Sequence, residues 1–223
     1  MKRRLAVAYD SGSASPIEIN RAVGDACDLI WVVDTSRPLG GMGRLLPRLG
    51  TVIDVAGCDA DATADAVAKA QPEGIVAFAD SQLLPAATLA AALNLRCNTV
   101  PVTRLFLDKY EQRNALRAAG VDVPAYVMIP TAASRAEIAA LAQQVELPAV
   151  LKPRSGYESR DIHHVDSTEA LLDLLAPVDG ERAVPREDFV LEEFLRDSSG
   201  ADRAFGDYVS VESVVVDGRA RRA

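Results

Sequence analysis

Over its first hundred positions the chain alternates short, continuous apolar runs with stretches of helical periodicity. Arg4 to Tyr9, Leu29 to Val33 (ending at Asp34), Val52 to Val55 and Gly74 to Ala79 each read as a buried strand. Asp10 to Pro16 is a turn, and Pro16 suits the first turn of a helix running to about Asp25. An alanine-rich helix is predicted from Ala60 to Ala70, and Asp80-Ser81 cap another from Gln82 to Leu93. Strands apolar on both faces and joined by helices predict a parallel sheet covered on both sides. This is a Rossmann-like layer of about 100 residues, the size of one small domain.

The pattern changes at Pro101. Asp108-Lys109-Tyr110-Glu111 has the form of a capping box, opening a helix that runs to Ala119 and stops at Gly120 in a left-handed turn. Val123 to Ile129 reads as an edge strand. Ser134 and Glu137 form a second capping box, ahead of Ile138, Leu141, Ala142 and Val145 on one helical face. Ala149-Val150-Leu151-Lys152-Pro153 is a strand that turns and returns through His163, His164 and Val165. The two histidines alternate across that strand, so one is expected to pack, the other to face solvent, and neither to hold a metal. Asp166 and Glu169 cap a further helix carrying Leu171, Leu174 and Leu175. Val178 to Asp188 reads as a charged connector, and Phe189 to Leu195 as a strand with Glu192 and Glu193 in its middle. The alternation from Asp207 to Val216 predicts an antiparallel strand, with Asp217-Gly218 as its turn and the hairpin partner left unmade.

A hydrophobic content of 49% is ample for packed cores, and no apolar run approaches the ~20 residues of a membrane span. The basic N-terminus reaches Asp10 too soon for a secretory signal, which points to the cytoplasm. A net charge of −8 argues against nucleic acid as a partner, though not against a nucleotide held by a few local cations. Cys27, Cys58 and Cys97 have no C-x-x-C spacing and suit reduced, buried thiols rather than a zinc site or a disulfide. Gly12 is the only glycine of the first turn, so the dinucleotide fingerprint is missing there, and Gly40 to Gly43 reads as a surface loop.

The chemistry concentrates around Lys152, a cation at the rim of a core. The loop after it carries Arg154, Ser155, Gly156, Tyr157, Ser159 and Arg160, which offer N–H groups, hydroxyls and positive charge. Polyphosphates are held by such oriented donors and cations. Glu158 and Asp161 interrupt the loop with negative charge, which Arg154, Arg160 or a Mg²⁺ ion would have to offset. Taken singly, these residues better suit a hairpin with a solvated lysine and a polar loop. Lys109 alone better suits a solvated helix position, and Glu192-Glu193 alone an edge strand guarded by charge.

In their order along the chain the pieces resemble the ATP-grasp superfamily, nearest its carboxylate–amine ligase-like members. The resemblance runs from about Gly74 to Arg219 and rests on Asp108-Lys109, on Val150 to Pro153, on the loop from Ser155 to Asp161, and on Leu191 to Leu195. It implies a Rossmann-like domain over 1–102, a lid subdomain over 103–188, and a hinge strand with the start of a C-terminal lobe over 189–223.

The resemblance further implies a site for ATP. Lys109 and Lys152 would meet its phosphates and the loop would fold over them. The carbonyl of Glu193 and the N–H of Leu195 would meet adenine, with Glu192 near the amino group and Phe194 between. Asp207, or Glu212 on the second alignment, would hold the ribose. The family's Mg²⁺ ligands lie further along than this sequence reaches. The activity implied is ATP-dependent activation of a carboxylate as an acylphosphate for attack by an amine or similar nucleophile. This chain is expected to be a portion that binds nucleotide at most and is inactive alone. A homodimer is compatible with this reading. The alternatives are a non-catalytic nucleotide-binding module completed by a partner chain, and a flavodoxin-like regulator.

Overall fold

The computed structural model of the chain describes residues 2–12, 14–156, 161–178, 181–182, 187–195, 211, 213–216 and 218–222. The first half runs β1 (Arg3–Ala8), α1 (Pro16–Val23), β2 (Cys27–Val33), a 3-10 turn (Gly41–Leu45), α2 (Leu46–Leu49), β3 (Thr51–Asp54), α3 (Ala60–Ala68), β4 (Gly74–Ala77) and α4 (Asp80–Ala92). The four strands form one parallel sheet in the order β3-β2-β1-β4. Successive side chains point to opposite faces. Ala6, Ala8, Ile30 and Val32 accordingly pack on Val67 of α3 and on Ala86, Leu89 and Ala90 of α4. Val7, Tyr9, Leu29, Trp31 and Val33 face Ile19 of α1 and Leu46 of α2. This is the doubly covered sheet that the continuous apolar runs predict.

α5 (Val100–Leu107) and α6 (Lys109–Ala118) lead into a second unit. It contains β5 (Tyr126–Ile129), α7 (Arg135–Ala142), β6 (Ala149–Pro153), β7 (His163–Val165), α8 (Thr168–Leu174), the short strands β8 (Pro177–Val178) and β9 (Glu181–Arg182), and β10 (Phe189–Glu193). Its sheet is antiparallel in the order β5-β10-β6-β7. Val127, Ile129, Ala149, Leu151, Phe189 and Leu191 point to one face and pack on Ile138 and Ala142 of α7 and Leu171 of α8. A last hairpin pairs β11 (Ser213–Val216) with β12 (Arg219–Arg222).

Several expectations are corrected. The hairpin partner after Gly218 is made, because Arg219–Arg222 pairs antiparallel with β11. α5 is an element that the sequence pattern does not foretell. Pro101 lies at its N-terminal turn, where a missing N–H costs nothing, and Thr99 caps it. α4 begins at Asp80 with Ala79 as N-cap, so Asp80 and Ser81 sit inside its first turn. α8 is capped by Ser167, whose hydroxyl accepts from Ala170 N–H, rather than by Asp166. The predicted connector after Val178 contains β9. Cys58 and Cys97 are exposed and Cys27 half-buried, so the thiols are free but not core residues. Glu192 and Glu193 lie on a strand flanked by β5 and β6, which rules out the charge-guarded edge.

Candidate functional site

Register fixes the site. Leu151 and Leu191 face the core, so their neighbours Val150, Lys152, Val190 and Glu192 face the other side of the sheet. α6 covers part of that side. Tyr110 meets Tyr126 edge-on at 5.6 Å, the Tyr126 hydroxyl donates to Asn114 Oδ1 at 2.7 Å, and Arg117 lies 4.3 Å over the Tyr126 ring.

Asp108 builds the start of α6. Its Oδ1 accepts from the N–H groups of Tyr110 and Glu111, both at 3.1 Å. The reciprocal half of the predicted capping box is replaced, since Glu111 accepts from Asn114 Nδ2 at 3.3 Å and reaches Arg154 at 3.7 Å. By contrast Ser134 and Glu137 form the complete box on α7. Gly120, with φ of 75°, closes the α6 segment as predicted.

Arg154 ties three segments together. Its guanidinium donates to Asp108 Oδ2 at 2.9 Å and to Asp188 Oδ2 at 3.3 Å, and its N–H donates to the Asp188 carbonyl at 2.8 Å. Burial alone would push the Asp108 carboxyl up, but the bonds from Arg154, Glu111 and Tyr110 more than reverse this and hold it below the usual range. Arg154 is therefore committed to carboxylates of its own chain, and the expectation that it offsets loop charge is revised.

The two lysines converge from different elements. The N–H of Lys109 donates to the Arg154 carbonyl at 2.9 Å, and its Nζ donates to the Gly156 carbonyl at 3.0 Å. Lys152 Nζ lies 2.7 Å from Glu192 Oε2. Burial, and then the Lys152 charge, push the Lys109 ammonium below its ordinary pKa, with Glu187, Glu192 and Asp80 opposing. Asp80 thus brings the carboxyl end of the parallel sheet into the electrostatic neighbourhood of Lys109. At that end Ser81 bonds Asp10 at 2.9 Å across β1 and β4, and a Cβ on Gly12 would lie 2.8 Å from Ala79 Cβ.

Glu192 is the buried carboxylate of the site, its side chain 3% exposed. Oε2 also receives Arg113 Nη2 at 3.2 Å, while Oε1 is buried without a hydrogen-bond partner. No expectation singled out Arg113. It lies 79 positions from Glu192, and no local spacing signals the pair.

At the end of β10 the Glu193 N–H donates to the Ala125 carbonyl at 2.8 Å. Opposed residues of such an antiparallel pair ordinarily exchange both bonds. Here the Ala125 N–H goes instead to Glu193 Oε2 at 3.2 Å, which leaves the Glu193 carbonyl free of that ladder bond. Phe194 N–H donates to the Pro148 carbonyl at 3.2 Å, and its ring meets His164 edge-on at 4.9 Å. Leu195 follows at 68% exposure. A cavity of about 380 Å³ opens here, lined by Glu146, Leu147, Pro148, Glu193, Phe194 and Leu195. His163 points the other way, toward Leu151, with Nε2 buried and unpartnered.

Ser155 reaches Glu187 at 3.5 Å. Tyr157, Ser159, Arg160, Asp207 and Glu212 lie outside the described residues. Among the described residues no three metal-ligating side chains cluster, so they offer no cage for Mg²⁺. Among them, too, no helix is long and apolar enough to cross a membrane.

No protein-family model matches the chain, and no curated protein matches it by sequence. Solved structures do match its fold. The L-amino acid ligase from Bacillus licheniformis matches with a TM-score of 0.59 at 19% identity, over 87% of this chain and 44% of that one. The N5-carboxyaminoimidazole ribonucleotide synthetase from Thermus thermophilus gives 0.62 at 17%, over 97% and 56%. The biotin carboxylase domain of the Hydrogenobacter thermophilus 2-oxoglutarate carboxylase, solved with ADP, its magnesium salt and bicarbonate, gives 0.60 at 17%, over 87% and 45%. The chain spans about half the length of these structures. At such identities the likeness is one of fold alone.

Proposed function

We propose that this chain carries the nucleotide-binding cleft of an ATP-dependent ligase that activates a carboxylate as an acylphosphate for an amine or similar nucleophile. One observation carries the reading: Lys109 and Lys152, from separate elements, converge beside Arg154 and Gly156 at the end of β6. Partly buried like charges oppose one another, and an anion between them relieves both. Phosphoryl transfer is driven by positioning and charge neutralisation, which two fixed ammonium groups supply.

The end of β10 suits the base. About 10 Å of strand separates Glu193 from the level of Lys152, three residues along the ladder. The Glu193 carbonyl, spared by its own side chain, accepts the adenine amino group, and the Leu195 N–H donates to the ring. Glu192 Oε1 is a second acceptor for that amino group. Ser155, Gly156, Tyr157, Ser159 and Arg160 form the covering loop, and Asp207 or Glu212 takes the ribose hydroxyls. The described residues do not build a magnesium site, so no step is assigned to one.

The test is calorimetric titration of the chain with ADP and with adenosine, on wild type and Lys152→Ala. One charge-assisted bond to phosphate is worth about 1.5–3 kcal/mol, so ADP should weaken about tenfold to a hundredfold while adenosine holds. Equal ADP affinity in the two proteins would reject the site.

A further inference from the structure

Glu192 is a single buried carboxylate faced by two cations on one oxygen. Lys152 Nζ lies at 2.7 Å and Arg113 Nη2 at 3.2 Å from Oε2, with the two cationic side chains 24% and 20% exposed. Lys152 cannot be both clamped to Glu192 and committed to an incoming anion without some loss to one of them. Removing the sole partner of a buried carboxylate is costly, because the charge is left uncompensated. Arg113 changes that balance. It stays on Oε2 from α6, so Glu192 remains paired when Lys152 turns away.

We propose that Arg113 is a positioning residue for Lys152: by sharing Glu192 it keeps the lysine loosely held and releasable to a phosphate. The proposal deepens the nucleotide reading and rests on it for the ligand, but the coupling itself belongs to Arg113, Glu192 and Lys152. Arg113 need not touch the ligand. Without it, Glu192 would hold Lys152 alone and more tightly, and the ammonium would lose a neighbouring like charge.

Two measurements on the whole chain decide the matter. The first uses no nucleotide and reads the rate at which Lys152 is acylated by an activated ester at fixed alkaline pH, followed by peptide mass spectrometry. Arg113→Met should slow Lys152 about tenfold, the lower end of couplings between close charge pairs. Arg113→Lys should stay near wild type, and Arg113→Met with Glu192→Gln should recover the rate. The second titrates ADP and adenosine. In Arg113→Met, ADP should weaken by the same factor while adenosine, which makes no demand on Lys152, should not change. In the double variant, where Glu192→Gln also alters the adenine contact, the ratio of ADP to adenosine affinity should return to that of wild type.

A merely structural Arg113 would loosen α6. Lys152 would then acylate as fast or faster, and adenosine would weaken with ADP in Arg113→Met; either of these overturns the proposal. A directly phosphate-binding Arg113 would leave the ratio of ADP to adenosine affinity low in the double variant, which also overturns it. If wild type binds neither ADP nor adenosine, the nucleotide reading fails, and the acylation rates still decide the coupling.

Discussion

Asp108 joins two functions in one carboxylate, and they can be separated. Oδ1 caps α6 by accepting from Tyr110 and Glu111 N–H, while Oδ2 holds the Arg154 guanidinium. Asp108→Ala removes both. Loss of a cap costs about 1 kcal/mol. The pair with Arg154 is about a quarter to a third exposed on each side, so screening limits it to about 1 kcal/mol. Asp108→Asn keeps the cap, since asparagine caps as well as aspartate, and loses only the charge. Native-state hydrogen exchange at the first α6 amides reads the local opening directly, without assuming that a chain with two sheets unfolds in one step. The expected acceleration is about thirtyfold for Asp108→Ala, from ~2 kcal/mol, and about fivefold for Asp108→Asn. The charged form of Asp108 is favoured in the fold, so its contribution is present above pH 3.8 and lost as pH falls through the lower folded pKa. Equal acceleration in the two variants would refute the division and assign the whole effect to Arg154.

The Lys109 ammonium is disfavoured by burial and by Lys152, so a polyphosphate that binds it should restore the proton. ADP titrated in two buffers of different ionisation enthalpy should therefore show net proton uptake at alkaline pH, below the ordinary lysine value of 10.5; proton release there would contradict the placement of Lys109. Gly50 has extended backbone, yet a Cβ there would sit 2.3 Å from the Leu29 carbonyl oxygen. Gly50→Ala should force β3 away from β2 and cost about 1–3 kcal/mol, seen as a lowered thermal midpoint; an unchanged midpoint would show that the strand end yields freely.

The parts of the fold set by local pattern are legible in the sequence. Continuous apolar strands foretell the parallel sheet, and Pro148, Pro153 and the run between them foretell β6. The departures have separate physical causes. Pro101 reads as a break, although proline fits the first turn of α5. Ser167 outcompetes Asp166 as a cap because it lies one residue nearer the helix. The site is half legible. Lys109 and Lys152 announce themselves by their neighbours, whereas Arg113 and the true engagement of Arg154 depend on partners tens of residues away. The freed Glu193 carbonyl depends on its own side chain reaching the Ala125 N–H, a partner far away in sequence that no local spacing signals.

The bond from the Lys109 N–H to the Arg154 carbonyl joins the first amide of a helix to the residue that follows a strand. Lys109 and Lys152 consequently stand on one main-chain frame. The separation of their Cα atoms is a matter of backbone geometry, and only the side-chain rotamers remain to be chosen. A ligand that bridges the two ammonium groups meets two lysines whose main-chain positions were set when the chain folded. Much of the ordering that such a ligand would otherwise impose is complete before it arrives, and that preorganisation favours affinity without any added contact.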